Sequence, residues 1–195
     1  MKKHMKERIA QIALIIGIVI VLCAVVLVIN TEFSSKSSIR KNKEIVQELY
    51  SLMPEISGGF LDDRIDTTMP LLEINGENFA GVIEIPKFNR TLPICGVWDR
   101  SKTKQFPCVY TGSIYDNSLI IGGCDETGHF DFMKTISEGD IVFVTDTTGA
   151  RFSYTIQKIE VTKDVSSNNL ISGNYNLVLF ARNTRSLDYT VIRLM

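Results

Sequence analysis

Two residues near the middle of the chain have side chains suited to nucleophilic chemistry. Cys124 carries a thiol, and His129 is the only histidine outside the N-terminal tail. A thiol within hydrogen-bond reach of an imidazole can act as a nucleophile with its base, as in cysteine hydrolases and transpeptidases. Both residues fall in one predicted loop, a placement that does not by itself bring the ring to the thiol. A Cys124–His129 dyad and a buried, unreactive thiol are therefore both open, and we favour the second.

These residues lie beside short β-rich runs that begin after Phe79. Runs of five or six apolar and β-branched residues alternate with turn residues, which is typical of an all-β sandwich or barrel. Within this region only residues 130–136 favour a helical turn, and Glu138-Gly139-Asp140 predicts a turn between strands. The runs are GVIEIP at 81–86, LIIGG at 119–123, IVFVTD at 141–146, RFSYTI at 151–156, NLVLFA at 176–181 and TVIRL at 190–194.

The N-terminal part of the chain has a different character. Residues 10–29 form an apolar run in which Gln11 is the only polar side chain. As a helix this run spans a hydrocarbon core of about 30 Å. A cleaved signal peptide would have a shorter apolar stretch and a small-residue cleavage site, and Leu22 before Cys23 does not fit lipoprotein processing. We predict an uncleaved transmembrane anchor behind a short tail at residues 1–9.

Residues 30–78, between the anchor and the β-rich region, read as a juxtamembrane helix and a linker. After a polar hinge at 34–38, apolar residues recur at near-helical spacing until Pro54. We predict an amphipathic helix that packs on the domain or spaces it from the bilayer, with partner binding as the alternative. Its apolar residues are Ile39, Ile45, Val46, Leu49, Leu52 and Met53. The Gly58-Gly59 pair then indicates an ordered linker.

Charge and cysteine content exclude several classes of protein. The formal net charge is −1 and the basic residues are dispersed, which argues against nucleic-acid binding. Three cysteines outside the anchor, without a CxxC pair, indicate neither a metal site nor a disulfide scaffold; one disulfide with a free thiol and three free thiols both stay open. An acidic cluster in the linker favours solvated carboxylates over calcium binding, and we expect no metal and no cofactor. The cysteines are Cys95, Cys108 and Cys124, and the cluster is Asp62, Asp63 and Asp66.

Four segments, in order, resemble the sortase family and in particular its class B-like members. Each segment alone is a weak signal, but their order and spacing behind an N-terminal anchor are more specific. The segments are residues 81–86 with 92–93, 107–113, 119–130 and 176–194. The resemblance implies a mainly β, sortase-like barrel with short helices at residues 79–195. It also implies a single-pass protein of the cell membrane whose C-terminal domain is extracytoplasmic, an orientation that the basic residues on both sides of the anchor leave open.

The resemblance also assigns roles to three positions. In sortases a thiolate attacks the Thr-Gly carbonyl of a sorting signal, a His serves as acid and base, and an Arg steadies the substrate and the oxyanion. Aligning Gly128, His129 and Phe130 with an SHF-like element places Cys124 at the catalytic His. Aligning residues 176–180 with DLTLF places Arg182 at the nucleophile and Tyr189 at the Arg. We therefore expect no residue of the usual catalytic type at these degenerate positions.

The remaining polar residues near the C-terminus have expectations of their own. Arg193 matches a second family arginine that is not catalytic, and we expect Tyr189 to pack across strands. Where the loops converge as in the family, Arg182 and Arg185 should form a solvated, salt-bridged cluster, with a carboxylate-binding site as the alternative. The acidic partners for that cluster are Asp125, Glu126 and Asp188.

The kept frame and the exchanged catalytic positions together predict a pseudoenzyme. We expect a membrane-anchored binding or accessory factor in cell-surface protein anchoring or pilus assembly, with sorting-signal peptides, surface or pilin proteins, or an active sortase as partners. The enzyme alternative is a cysteine transpeptidase or hydrolase of sorting-signal peptides that uses Cys124 and His129. A third alternative is a structural barrel whose cleft is filled. No cysteine follows Cys124, so the nucleophile strand lacks a thiol in any register.

Overall fold

The structure is a computed structural model of the 195-residue chain. It describes the backbone of residues 2–58 and 66–195, and within the first helix the side chains of residues 16–25 and those from Ser37 onward. Two compact units divide the chain, Met1–Ser38 and Ile39–Met195. Gly59, Asp62 and Asp63, which belong to the predicted linker and acidic cluster, lie outside the described residues.

The first unit is helical: helix α1 (Lys2–Leu52) begins in it and continues into the second unit. The hinge predicted at residues 34–38 is instead helical backbone, because this stretch contains neither Gly nor Pro and serine disfavours a helix only slightly. Among the residues that the structure describes, no helix is long and apolar enough to cross a membrane. Of the predicted anchor at residues 10–29, only residues 16–25 have described side chains.

Within the second unit, the last part of α1 packs through one face. Ile45, Val46 and Leu49 are buried in a cluster with Phe79 and Phe106. This spacing of three to four residues places them on one stripe of the helix, as the amphipathic pattern predicts. Leu52 is an exception to the predicted apolar face, because it is exposed. The helix ends before Pro54, as predicted, and the Met53 N–H closes the last turn on the Leu49 carbonyl at 2.9 Å.

Ten strands follow within the described residues. They are β1 (Ser57–Gly58), β2 (Leu72–Ile74), β3 (Glu77–Ile85), β4 (Arg90–Cys95), β5 (Cys108–Thr111), β6 (Leu119–Cys124), β7 (Ile141–Asp146), β8 (Ala150–Thr162), β9 (Leu177–Arg182) and β10 (Tyr189–Leu194). Short helical turns lie at Pro86–Phe88, Lys102–Lys104 and Asp131–Lys134, and helix α2 is Ser167–Ile171. The turn predicted at residues 130–136 is therefore present, whereas α2 was not predicted.

Eight of these strands close into a barrel. The pairing runs β8-β10-β9-β6-β5-β4-β3, and β7 closes the ring by pairing with both β3 and β8. Strands β6 and β9 are parallel, while β10 is antiparallel to both of its neighbours. Gly81, with φ 144°, lies at an irregularity of the β3–β4 pairing, and a Cβ there would lie 2.0 Å from the Thr145 oxygen. Only glycine fits this close approach of two strands.

The alternation of side chains along β6, β9 and β10 separates a barrel interior from an outer face. Ile121, Leu179 and Ile192 belong to the large buried cluster inside the barrel. Their neighbours Ile120, Val178, Phe180 and Val191 form a separate cluster on the outer face, covered by Leu170 of α2. Because the period of a strand is two, a slip of one residue would exchange the two faces, so the two clusters fix the register.

Candidate functional site

The ends of β6 and β9 and the start of β10 meet at one edge of the barrel. In the strand pairing Cys124 lies opposite Arg182, and Arg182 lies opposite Tyr189. Residues directly opposite each other point to the same face of a sheet. The three sequence-predicted positions therefore form one row on the outer face. Their neighbours Gly123 and Ala181 are likewise paired, and Ala181 belongs to the interior cluster. An alignment with the family shifted by one residue, from Cys124 to Gly123 and from Arg182 to Ala181, would therefore move these positions off the outer face.

The thiol of Cys124 is buried and held by the backbone. Its Sγ donates to the Thr103 carbonyl oxygen at 3.1 Å. Burial, with the negative charge of Glu126 as a second cause, raises the pKa of Cys124 to about 11. A reactive thiolate needs the opposite shift, toward neutral pH or below. The surroundings of Cys124 keep the thiol protonated.

His129 is close to Cys124 but contacts its backbone. The ring Nδ1 lies 3.0 Å from the Cys124 carbonyl oxygen, and Nε2 makes no hydrogen bond with the residues that the structure describes. The ring also fills the space beside Gly123, where a Cβ would lie 2.6 Å from its Cε1. Burial lowers the pKa of His129 to about 4, so the ring is neutral at physiological pH. The structure thus brings the two residues of the alternative dyad together without a thiol–imidazole hydrogen bond.

Arg182 opens onto a pocket of about 310 Å³ at this edge. The pocket contains three cationic side chains and one carboxylate, and Leu187 lies on its rim. Its lining residues are Arg100, Thr103, Lys104, Gly123, Cys124, Glu126, Arg182, Thr184 and Leu187. Arg100, Lys104 and Thr103 belong to the segment between β4 and β5, for which the sequence offers no catalytic or strand pattern. Sequence reasoning therefore missed them.

The expected salt-bridged cluster of Arg182 and Arg185 is not formed. Among the described residues neither side chain makes an ion pair, and two of the three acidic candidates, Asp125 and Asp188, have other partners. The buried carboxylate of Asp125 bonds Lys134 Nζ at 2.7 Å and accepts from the Thr184 N–H at 2.8 Å. Although burial opposes the shift, these partners hold the pKa of Asp125 below its usual value. Asp188 accepts from the Asn183 amide and from the Ser186 hydroxyl.

Tyr189 and Arg193, both on β10, have packing and structural roles. Tyr189 is partly buried against the outer-face cluster, with its ring centroid 6.4 Å from that of Phe180. Arg193 is buried, and its guanidinium donates to the carbonyls of Leu170 and Ser172 and to Glu160 Oε1. Arg193 therefore ties the segment between β8 and β9 to the barrel face.

Three aromatic rings occupy the outer face next to this row. The Trp98 and Tyr110 ring centroids lie 5.6 and 5.5 Å from that of Phe180, and 5.0 Å from each other. A Cβ on Gly122 would lie 2.4 Å from the Phe180 ring and 2.6 Å from the Trp98 ring. Farther along the same strands a second pocket, of about 380 Å³, is lined by Ile120, Val178 and the segment around α2. The aromatic rings thus lie over the face between its two ends.

The described cysteines and acidic residues were also candidates for a metal centre. Within the described part of the chain no group of three or more His, Cys, Asp or Glu side chains is arranged to hold a metal ion. Cys95, Cys108 and Cys124 are buried free thiols, and Cys95 lies opposite Cys108 in the β4–β5 pairing. Cys95 and Cys108 therefore adjoin each other, away from the row formed by Cys124, Arg182 and Tyr189.

The structure is a closed eight-stranded β-barrel with a pocket at the ends of the parallel strands β6 and β9. A family model described as the Sortase domain matches residues 83–188, more than half of the chain. The chain belongs to the sortase family. The resemblance noted in the sequence is thereby confirmed at the level of the family.

Solved structures agree with this fold. The chain is similar to sortase A from Corynebacterium diphtheriae, with 17% identity over 82% of each chain and a TM-score of 0.52. It is similar to sortase C from Clostridium perfringens SM101, with 16% identity over 85% of this chain and 88% of that chain and a TM-score of 0.50. Clostridium perfringens sortase C with the C-terminal cell wall sorting motif matches at 17% identity, 81% and 86% coverage and a TM-score of 0.51. A search of curated proteins finds no match.

Proposed function

We propose that this chain is a membrane-anchored, extracytoplasmic member of the sortase family that binds sorting-signal peptides without transpeptidase chemistry. The observation that carries the proposal is the position of Arg182. It lies at the end of β9, opposite Cys124 at the end of the parallel strand β6, where the resemblance places the nucleophile. The kept barrel supports a role in surface-protein anchoring or pilus assembly, as a binding or accessory factor.

The chemistry of Arg182 argues against group transfer. A guanidinium remains protonated in proteins and has no lone pair to offer a carbonyl carbon. Losing the nucleophile of a serine protease costs a factor of about 10⁶ in rate, and the remaining groups do not restore it. Cys124 does not replace it, because its thiol donates to a backbone carbonyl and its pKa is raised.

The outer face supports peptide binding at the same site. Clostridium perfringens sortase C, a protein of the same fold, has been solved with a C-terminal cell wall sorting motif. In this chain the corresponding strands carry an apolar pocket at Ile120 and Val178 and a polar pocket at Cys124 and Arg182. An extended peptide lying along β6 and β9 would reach both pockets. The apolar run at residues 10–29 supports a membrane anchor for this domain.

A peptide-cleavage assay separates this proposal from its rivals. The full-length chain in mild detergent is incubated with fluorogenic LPxTG- and NPxTx-type peptides, with and without an amine acceptor, and binding is followed in parallel. Two variants accompany it: Cys124→Ala, and a triple variant with Arg182→Cys, Cys124→His and Tyr189→Arg. We expect binding without cleavage by the natural chain, and cleavage by the triple variant.

The other outcomes point elsewhere. Cleavage by the natural chain that Cys124→Ala abolishes would establish the enzyme alternative, with Cys124 as nucleophile and His129 as its base. Absence of both binding and cleavage in every variant would favour the structural alternative, in which Trp98, Tyr110 and Phe180 close the former cleft.

A further inference from the structure

The pocket beside Arg182 carries more positive charge than the surrounding protein neutralises. Arg100, Lys104 and Arg182 line it, and within the described residues none of these side chains makes an ion pair or a hydrogen bond. The one carboxylate in the lining, Glu126, pairs with none of them. Like charges converging on one small volume repel each other unless an anion joins them. The pocket is therefore suited to a negatively charged ligand.

The nearby acidic side chains do not supply that anion. Asp125 is occupied by Lys134 and by the Thr184 N–H. Asp188 is occupied by Asn183 and Ser186. Cys124 does not supply it either, since its thiol is protonated and turned to the Thr103 carbonyl. Glu126 is then the only carboxylate of the lining that is free to offset the charge of Arg100, Lys104 and Arg182, and the described side chains around the pocket carry a net charge of about +2.

The wall of the pocket is formed before any ligand arrives. The loop from Arg182 to Asp188 is closed by a hydrogen bond from the Asn183 N–H to the Asp188 carbonyl at 2.8 Å. It is joined to β6 by hydrogen bonds from the Asp125 N–H to the Arg182 carbonyl and from the Thr184 N–H to the Asp125 carboxylate. The loop backbone is therefore in place before binding, and only the exposed cationic side chains have to be ordered when the ligand binds.

We infer that this pocket binds the C-terminal carboxylate of an extended peptide, with Arg182 as its principal contact. A planar guanidinium matches a carboxylate with two parallel hydrogen bonds, and Lys104 and Arg100 add charge from the opposite wall. Phe180, two residues before Arg182 on β9, is buried under Trp98, and the partly exposed ring of Trp98 can contact the preceding part of the peptide. This inference rests on the proposed peptide-binding function and specifies its ligand. The ligand is a peptide with a free C-terminal carboxylate rather than an uncleaved sorting signal.

The test compares two peptides that differ only in the C-terminal group. A short sorting-signal peptide ending in Thr is prepared with a free carboxylate and with a carboxamide, and each is titrated into the full-length chain in mild detergent. Trp98 is the only tryptophan and adjoins the site, so its emission reports binding. We expect the acid to bind about 10- to 100-fold more tightly than the amide, with a preference that weakens as salt increases.

Variants assign the preference to the pocket. Arg182→Gln should remove it, and Arg182→Lys should retain part of it, because the charge remains while the planar fork is lost. Arg185→Gln is the matched control: Arg185 is exposed, lies in the same loop and does not line the pocket. Its affinity ratio for acid over amide should equal that of the natural chain.

The outcomes distinguish the inference from the function on which it rests. If both peptides bind with affinities within twofold of each other, or if Arg182→Gln keeps the preference, the carboxylate site is wrong and peptide binding stands. If neither peptide binds, the proposed function itself fails. If Arg185→Gln abolishes the preference for the acid, the carboxylate binds at Arg185 and the assignment to Arg182 is wrong.

Discussion

Cys124 and Arg182 lie directly opposite each other in the parallel pairing of β6 and β9. Parallel strands end at the same edge of a sheet, so the last residue of each strand contributes to one site. In this chain that site combines a protonated thiol with an unpaired guanidinium. The first does not attack a carbonyl, and the second binds anions. Where the resemblance places the nucleophile of the family, the same strand geometry here positions a guanidinium that has no partner among the described residues.

The first prediction concerns the reactivity of Cys124. Since its pKa is raised to about 11, its thiolate fraction at pH 7.4 is on the order of 10⁻⁴. We expect iodoacetamide to label Cys124 at least about 100-fold more slowly than an unperturbed thiol, with a rate that rises about tenfold per pH unit up to pH 10. Peptide mapping by mass spectrometry measures the rate at this residue alone.

His129→Gln provides the control for that measurement. The imidazole contacts the Cys124 carbonyl rather than its sulfur, so we expect the labelling rate of the variant to stay within about threefold of the natural chain. A rate that already reaches its plateau near pH 7 and collapses in His129→Gln would instead show a working dyad.

The fold and the row of three residues were predictable because both depend on local pattern. Strands β6, β9 and β10 are largely apolar runs buried on both faces, which identifies them as core strands, and the alignment with the family indicates which of their end residues meet. Strands β4 and β5 were less predictable as strands, since β4 contains Pro93 and begins with polar residues, and β5 is short.

The composition of the pocket was not predictable from the sequence, because it depends on contacts between distant loops. Arg182 and Arg185 were expected to pair with Asp188, Asp125 or Glu126. The Asp125 carboxylate instead accepts from the Thr184 N–H and pairs with Lys134. Arg100 and Lys104 come from the segment between β4 and β5, which lies against the end of β6 in the folded barrel. No sequence spacing predicts that Arg100 and Lys104 lie beside Arg182.

The second prediction concerns stability at mildly acidic pH. His129 has a pKa of about 4 in the folded state and about 6.5 when unfolded, so the unfolded state binds a proton first as pH falls. This residue therefore has its full stabilising effect above pH 6.5 and loses it progressively as pH falls toward 4. At about 1.4 kcal/mol per pH unit, the loss between those values amounts to about 3 kcal/mol.

Urea unfolding at pH 7.5 and at pH 4.5 measures this loss. His129→Gln cannot take up the proton, so its unfolding free energy should change much less between the two pH values. Asp125, whose folded pKa is below its usual value, releases its contribution only at lower pH and does not obscure the window. Equal pH dependence in the variant and the natural chain would contradict the assignment to His129.

The third prediction concerns the aromatic rings on the outer face. In Gly122→Ala the added Cβ would lie 2.4 Å from Phe180 and 2.6 Å from Trp98, so at least one ring has to move. We expect destabilisation by about 1–3 kcal/mol from overpacking, together with a red shift of the Trp98 emission as the ring becomes more exposed. Ser153→Ala, an exposed position on β8, should change neither quantity. An unchanged emission spectrum together with an unchanged free energy of unfolding in Gly122→Ala would contradict this packing of Phe180 and Trp98 on Gly122.

The last prediction separates the two arginines of the outer face. The Arg193 side chain is 4% exposed and donates to Glu160 Oε1 at 2.9 Å, to the Leu170 carbonyl at 3.1 Å and to the Ser172 carbonyl at 2.9 Å. In Arg193→Met these acceptors lose their donor, and we expect a loss of about 3 kcal/mol in the free energy of unfolding. The segment between β8 and β9 should also become sensitive to limited proteolysis, because Arg193 is what ties it to the barrel.

Arg182→Met should behave differently, because Arg182 is exposed and has no partner among the described residues. Its unfolding free energy should stay within about 0.5 kcal/mol of the natural chain, or rise slightly as repulsion with Lys104 is relieved. Urea titrations of both variants, followed by far-UV circular dichroism, make the comparison. A loss of 2 kcal/mol or more in Arg182→Met would mean that Arg182 supports the fold rather than a ligand, because a binding residue without protein partners has little to lose when the ligand is absent.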